Sequence, residues 1–293
     1  MRRLILHIGL EKTGSTAFQA YCTKNRRRLA AAGVVYPAHP ACFLGLNHAP
    51  LAASYFSAEE AEALLIAGRS ADRREAIAAL EAENAGAALT LISAEHLSSR
   101  FDPGRIHALA ADLADYEVSV AVVVRDPVAR ARAAYATAVA SGRALTLAAF
   151  VEELLAPGNG YLLSRAVIEA WSQVFGRERM IVAGYREGQD IVPALARRLI
   201  PGAAPETGGL RRNVSPPAAE IERQRRANAA MGLARWLARW RGRARGPALA
   251  FTPDEAARIE AHTAEDVAWL RREYGIEPSR RFGEGVAALR PRV

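Results

Sequence analysis

The sequence predicts an α/β protein of the P-loop type, three layers deep, with a central parallel sheet between helices and a helical, arginine-rich C-terminal segment. Three observations carry this. Short apolar runs alternate along the chain with longer stretches of helical spacing, the order that strand–helix–strand crossovers require. The first run, Leu4 to Gly9, breaks into a turn holding Gly9 and Gly14 and opens directly into a helix at Ser15 and Thr16. The fourth, Val118 to Val124, is a nearly unbroken series of β-branched and small residues, the mark of a strand buried on both faces.

In chain order the expected strands are Leu4 to Gly9, Val34 to Tyr36, Leu89 to Ser93, Val118 to Val124 and Met180 to Ala183. Between them the helices have legible starts. Ser57 with Glu60, and Thr252 with Glu255, have the spacing of capping boxes, the second with Pro253 at the first helical position. Asp102-Pro103 and Asp126-Pro127 each read as a capping aspartate followed by a first-turn proline. Pro201 to Gly209, rich in Pro and Gly, is the expected hinge before the last third of the chain. With 293 residues, 51% of them hydrophobic, the chain can bury a large core, and the expectation is one α/β domain over 1–293 with a helical extension over approximately 210–293.

The charge balance points to an anionic ligand. The chain carries 39 basic and 31 acidic residues, a formal net charge of +8, and lysine occurs only at Lys12 and Lys24, so that 37 of the basic residues are arginine. A lysine inside the glycine turn of so arginine-biased a chain indicates a place for a compact ammonium rather than a planar guanidinium. The two cysteines, Cys22 and Cys42, lack metal-ligand spacing and suit a reducing cytosol. No run of about 20 apolar residues occurs, so neither a secretion signal nor a spanning helix is expected. The segment Met231 to Arg245 places Leu233, Trp236, Leu237 and Trp240 on one helical face, which is read as packing on the domain with arginines reaching to water rather than as a membrane or nucleic-acid surface.

The turn after the first strand is a phosphate cradle with its lysine displaced. In a nucleoside-triphosphate loop a lysine follows the second glycine and reaches the β/γ-phosphates. Here Ser15 stands in that place, and the lysine, Lys12, lies two residues before Gly14. What the loop still offers is the row of backbone N–H groups of Thr13, Gly14, Ser15 and Thr16 at a helix N-terminus, where the macrodipole favours an anion. Arg125 ends the fourth strand just as a capped helix begins, at the carboxyl edge where open α/β sheets bind ligands.

Lys12-Thr13-Gly14-Ser15-Thr16 resembles the 5′-phosphosulfate loop of sulfotransferases that use 3′-phosphoadenosine 5′-phosphosulfate (PAPS), which reads K-[ST]-G-[ST]-[ST] between a strand and a helix. Arg125, Asp126, Pro127, Arg130 and Tyr135 resemble the family's 3′-phosphate segment, R-[DN]-P-x-x-R-x-x-S-x-Y, with Ala133 replacing its serine. The likeness to the bacterial branch, whose acceptors are carbohydrates and small molecules, covers about the first 215 residues. It implies PAPS as donor, no metal, Lys12 against the leaving oxygen, Arg125 on the 3′-phosphate, and Arg211 and Arg212 in a basic lid over the nucleotide.

Transfer to a hydroxyl or amine also calls for a base. His48 is the first candidate, because an imidazole titrates near neutral pH and the region before the third strand is where such enzymes commonly bring up a histidine or glutamate. Glu95, just past the third strand, is the second. Two other classes are compatible with parts of the pattern: a P-loop kinase or NTPase, against which Ser15 in the lysine position argues, and a non-catalytic binder of adenosine bisphosphate or polyanions, which would need no base.

Overall fold

The computed structural model describes residues 2–63, 72–185, 190–202, 216–230 and 246–278. The expected hinge beyond Gly202, the arginine pair Arg211 and Arg212, and the Trp/Leu stripe of Met231 to Arg245 lie outside the described residues. The chain divides into two compact units: Met1–Val124 with Ala166–Arg212, and Arg125–Arg165 with Asn213–Val293.

In the first unit, β1 (Arg2–Gly9), β2 (Val34–Val35), β3 (Leu89–Ser93), β4 (Tyr116–Arg125) and β5 (Met180–Tyr185) form one sheet in the order β2-β3-β1-β4-β5. The pairings of β1 with β3 and β4, and of β2 with β3, are parallel. All five strands fall where the sequence predicts them, β3 with the expected bounds and the other four differing by a residue or two at one or both ends. The sheet is flanked by helices, as a sheet buried on both faces requires. Side chains alternate across it. Ile5, Leu89, Leu91, Ala121 and Val123 pack with Ala17, Phe18, Tyr21 and Cys22 of α1 (Ser15–Lys24) and with Val192, Leu195 and Leu199 of α11 (Ile191–Leu199). Leu4, Leu6, Ile8 and Val120, on the opposite face, are fully buried as well.

Between these strands run α2 (Arg26–Ala31), α3 (Ala49–Ala53), α4 (Ala58–Ala63), α5 (Arg73–Glu83), α6 (His96–Arg100), α7 (Pro103–Asp112) and α10 (Arg165–Phe175). The expected starts form as the side chains dictate. Asp102 Oδ1 accepts the Arg105 amide at 2.9 Å ahead of α7. Ser57 and Glu60 exchange both bonds of a capping box at 2.9 and 3.2 Å. Cys22 and Cys42 are free thiols buried in this unit, where loss of solvent raises both above the ordinary thiol range, Cys42 to about 12.

The second unit is helical: α8 (Pro127–Ala140), α9 (Leu147–Leu155), α12 (Ala218–Ala229) and α13 (Pro253–Tyr274). Val128, Ala131, Tyr135 and Val139 share one apolar cluster with Phe150, Val151, Leu154, Ile221 and Ile259, so the C-terminal helices share their core with the segment after β4. Thr252 and Glu255 complete a capping box on α13. Asp266, buried inside α13, accepts the Ser164 amide and hydroxyl at 2.9 Å each and the Arg165 amide at 2.7 Å. Three donors are thereby satisfied by one carboxylate. Asp266→Ala is expected to destabilise the protein by about 3 kcal/mol, because it strands those donors away from water, and Asp266→Asn by less. Urea unfolding monitored by circular dichroism measures both.

Candidate active site

The loop from Gly9 to Ser15 leaves the sheet abruptly. The β1–β4 register slips between His7 and Gly9, and the Leu10 amide then closes on Val123 O at 3.1 Å. Three residues in the loop have left-handed backbones: Gly9 at φ 97°, Lys12 at φ 64° and Gly14 at φ 90°. For a lysine that conformation costs on the order of 1 kcal/mol, and strain of this kind gathers where a backbone is held for a ligand. The hydroxyls brace the turn from inside. Thr13 Oγ1 donates to Leu10 O at 2.6 Å and Ser15 Oγ to the same carbonyl at 3.4 Å, both side chains being buried. Thr13 and Ser15 therefore have backbone amides to offer, while the hydroxyl of half-buried Thr16 has no partner among the described residues.

Helix α1 starts without a side-chain cap. Gly14 holds the cap position, and the ladder's first bonds run from the Ala17 and Phe18 amides to Gly14 O. The amides of Ser15 and Thr16 come before those bonds and point off the helix N-terminus, the arrangement that holds a phosphate-like anion. A side chain at Gly14 has no room: a Cβ there would stand 2.7 Å from Ile191 Cγ2. Lys12 rises from the same turn, half-buried.

Beside the loop lies the carboxyl end of β3. A Cβ on Gly9 would stand 3.4 Å from Glu95 Cγ, which places Glu95 against the start of the cradle. Glu95 is half-buried at the cap of α6, where its carbonyl, not its carboxylate, receives the Ser98 and Ser99 amides. Its Oε2 accepts Gln19 Nε2 at 2.9 Å, and among the described residues no arginine or lysine pairs with it. Gln19 also donates to Ser93 Oγ at 3.1 Å, and Ser93 Oγ meets His7 Nδ1 at 2.7 Å. This Gln19–Ser93–His7 network is absent from the sequence reading. Its signal is Gln19 itself, a lone amide within the buried run Ala17-Phe18-Gln19-Ala20-Tyr21.

His48, the first candidate base, is placed in the core. It is fully buried, its Nδ1 accepts the Ser93 amide at 3.1 Å, and its ring meets Tyr36 and Phe43 edge-on at 4.7 and 5.3 Å. Burial lowers it from 6.5 to about 3. An imidazole so held cannot reach an acceptor hydroxyl, and its contacts are those of a structural residue. His96, at the start of α6, is also lowered by burial.

Arg125 ends β4 at the carboxyl edge of the sheet, half-buried, as the sequence places it. The residues after it have structural duties. Asp126 Oδ1 caps α8 through the Ala129 amide at 2.7 Å, buried Arg130 stacks over Tyr161 at 4.7 Å, and Tyr135 donates to Leu145 O at 3.3 Å from inside the helical core. Among the described residues no group of three or more His, Cys, Asp or Glu side chains is arranged to hold a metal ion, and no helix is long and apolar enough to cross a membrane.

Two neutral histidines in the core set a pH dependence. Burial lowers His7 to about 4 and His48 to about 3, whereas both recover 6.5 on unfolding. Below 6.5 the unfolded chain therefore binds protons that the folded chain refuses. The stability is fully present above 6.5 and is lost as the pH falls toward the folded values, by up to about 1.4 kcal/mol per pH unit for each ring. Urea midpoints measured from about pH 7 to 5 are expected to fall accordingly, and His48→Asn, which keeps an acceptor for the Ser93 amide, is expected to remove about half of the slope.

Comparison with solved structures finds one architecture like this one. A crystal structure of a sulfotransferase from Alicyclobacillus acidocaldarius matches with a TM-score of 0.50 and 17% sequence identity, over 93% of this chain and 95% of that one. No protein-family model matches, and neither does a curated protein. At this identity the likeness is one of fold, which in this chain is a five-stranded sheet flanked by helices.

Proposed function

We propose that this protein is a sulfotransferase, moving a sulfuryl group from PAPS to a hydroxyl or amine of a carbohydrate or small-molecule acceptor. The observation that carries the reading is the cradle: an uncapped helix N-terminus behind Lys12-Thr13-Gly14-Ser15-Thr16, with Lys12 and Gly14 both left-handed and no lysine where a triphosphate loop has one. The fold shared with a sulfotransferase supports it. Two free buried thiols suit the reducing cytosol in which the reading places the enzyme.

The donor, when bound, supplies an activated sulfuryl group; the chain supplies the field and the proton acceptor. The amides of Thr13 to Thr16 hold the 5′-phosphate, and the Lys12 ammonium balances negative charge on the oxygen that leaves with it. Arg125 is assigned the 3′-phosphate on its Arg125-Asp126-Pro127 motif, with Arg211 and Arg212 as the covering lid. Ala133 has no hydroxyl to offer that phosphate. Glu95, beside the cradle and paired with no arginine or lysine among the described residues, takes the acceptor's proton in place of His48.

The test is ligand binding followed by turnover. 3′-Phosphoadenosine 5′-phosphate is expected to raise the melting temperature without magnesium, and adenosine 5′-phosphate to raise it less. Lys12→Ala is expected to bind the bisphosphate within a few-fold of wild type by calorimetry yet to lose about 100-fold or more in PAPS turnover, since its charge counts most in the transition state. Gly14→Ala is expected to lose nucleotide binding, its Cβ overlapping Ile191. Stabilisation by ATP with magnesium above that by the bisphosphate would instead favour a kinase or NTPase.

A further inference from the structure

Gln19 is a polar side chain that joins the cradle's helix to the carboxylate beside it. It projects from α1 one turn beyond Ser15, is 1% exposed, and spends both hydrogens of one amide nitrogen on two acceptors: Ser93 Oγ at 3.1 Å and Glu95 Oε2 at 2.9 Å. The amide can face only one way, because its reversed form would set a carbonyl oxygen against a carboxylate. Ser93 is in turn fixed from both sides, its hydroxyl against His7 Nδ1 and its own amide on His48 Nδ1. A donor that is itself immobilised in the core thus pins one oxygen of a half-buried carboxylate at the rim.

We propose that Gln19 is a positioning residue for Glu95: it occupies Oε2, so that Oε1 faces the acceptor with its lone pair unclaimed. The proposal deepens the sulfotransferase reading and rests on it for the identity of the step. In that step the acceptor oxygen bonds to sulfur as the bond from sulfur to the 5′-phosphate oxygen breaks. The electron pair stays on that phosphate oxygen, and the acceptor's proton passes to Glu95 Oε1. The ionisable groups around Glu95 include His96 on its own helix, with Glu11 and Arg100 acting on that ring, Tyr36 after β2, and His7 behind Ser93. Among the described residues the Gln19 amide is the side-chain donor to Glu95.

The experiment uses Gln19→Met, which keeps the volume and removes the donor, and Gln19→Glu, which replaces the donor with a like charge. With PAPS as substrate and water as acceptor, Gln19→Met is expected to lower the hydrolysis rate about 10-fold. The acid limb of its pH–rate profile should move to higher pH, because a carboxylate that loses a donor holds its proton more tightly. Gln19→Glu should move that limb further. Affinity for 3′-phosphoadenosine 5′-phosphate should stay within two-fold of wild type in both, which shows that the fold and cradle are intact. Independently of turnover, the side-chain amide protons of Gln19 in wild type are expected downfield in NMR spectra and to shift upfield in Glu95→Ala. A wild-type rate and profile in Gln19→Met, or Gln19 signals that ignore Glu95→Ala, would overturn the proposal. Failure of wild type to bind the bisphosphate would overturn the sulfotransferase reading instead, while the amide signals would still decide whether Gln19 holds Glu95.

Discussion

The turn after β1 depends on one close approach. Gly14 lies against Ile191 at a distance no side chain tolerates, and in that position it is both the left-handed residue that reverses the chain and the cap of α1. The Leu10 carbonyl gathers the hydroxyls of Thr13 and Ser15 beneath it, so the loop is tied to itself on one side and to α11 on the other. What remains unbonded is the set of amides at the start of α1. A loop held at a fixed shape by its own interior contacts loses little further freedom when an anion arrives, which is the physical meaning of a preorganised site.

The same economy governs the carboxyl end of β3. Ser93 presents its amide to one buried imidazole and its hydroxyl to a second, and Gln19 spans from that hydroxyl to Glu95. The far nitrogens of the two rings, His7 Nε2 and His48 Nε2, are buried with no hydrogen-bond partner among the described residues. Burial holds those rings neutral, because it takes a charged imidazole out of water. The network therefore runs from neutral groups inside to a carboxylate at the rim.

The architecture was legible because periodicity and capping are local. Val118 to Val124 declares burial on both faces in its own letters, and Asp102-Pro103 and Asp126-Pro127 announce helices whose caps form as written. The cradle was legible for the same reason, since glycine spacing and Lys12 sit within one turn of chain. The base was not. The run before His48, Phe43-Leu44-Gly45-Leu46-Asn47, does not say on which side the ring lies, and the packing of Tyr36 and Phe43 around it is what takes the ring out of water. Glu95 and Gln19 stand far apart in sequence and meet only through the parallel pairing of β1 with β3 and the packing of α1 above it. The helical unit shows the same limit. Asp266 has no local reason to be buried, and its duty to Ser164 and Arg165 exists only once α13 has folded back.

Both cysteines of the chain fall in the unit that carries the sheet, and the helical unit has none. Their thiols are shielded and held protonated by burial, so a thiol-modifying reagent reacts with them only when the surrounding structure opens. The native sequence thus contains its own chemical clock for one half of the molecule. The rate at which label enters Cys22 reports the opening of the helix behind the cradle, Cys42 reports the loop that covers His48, and the second unit contributes no background to either signal.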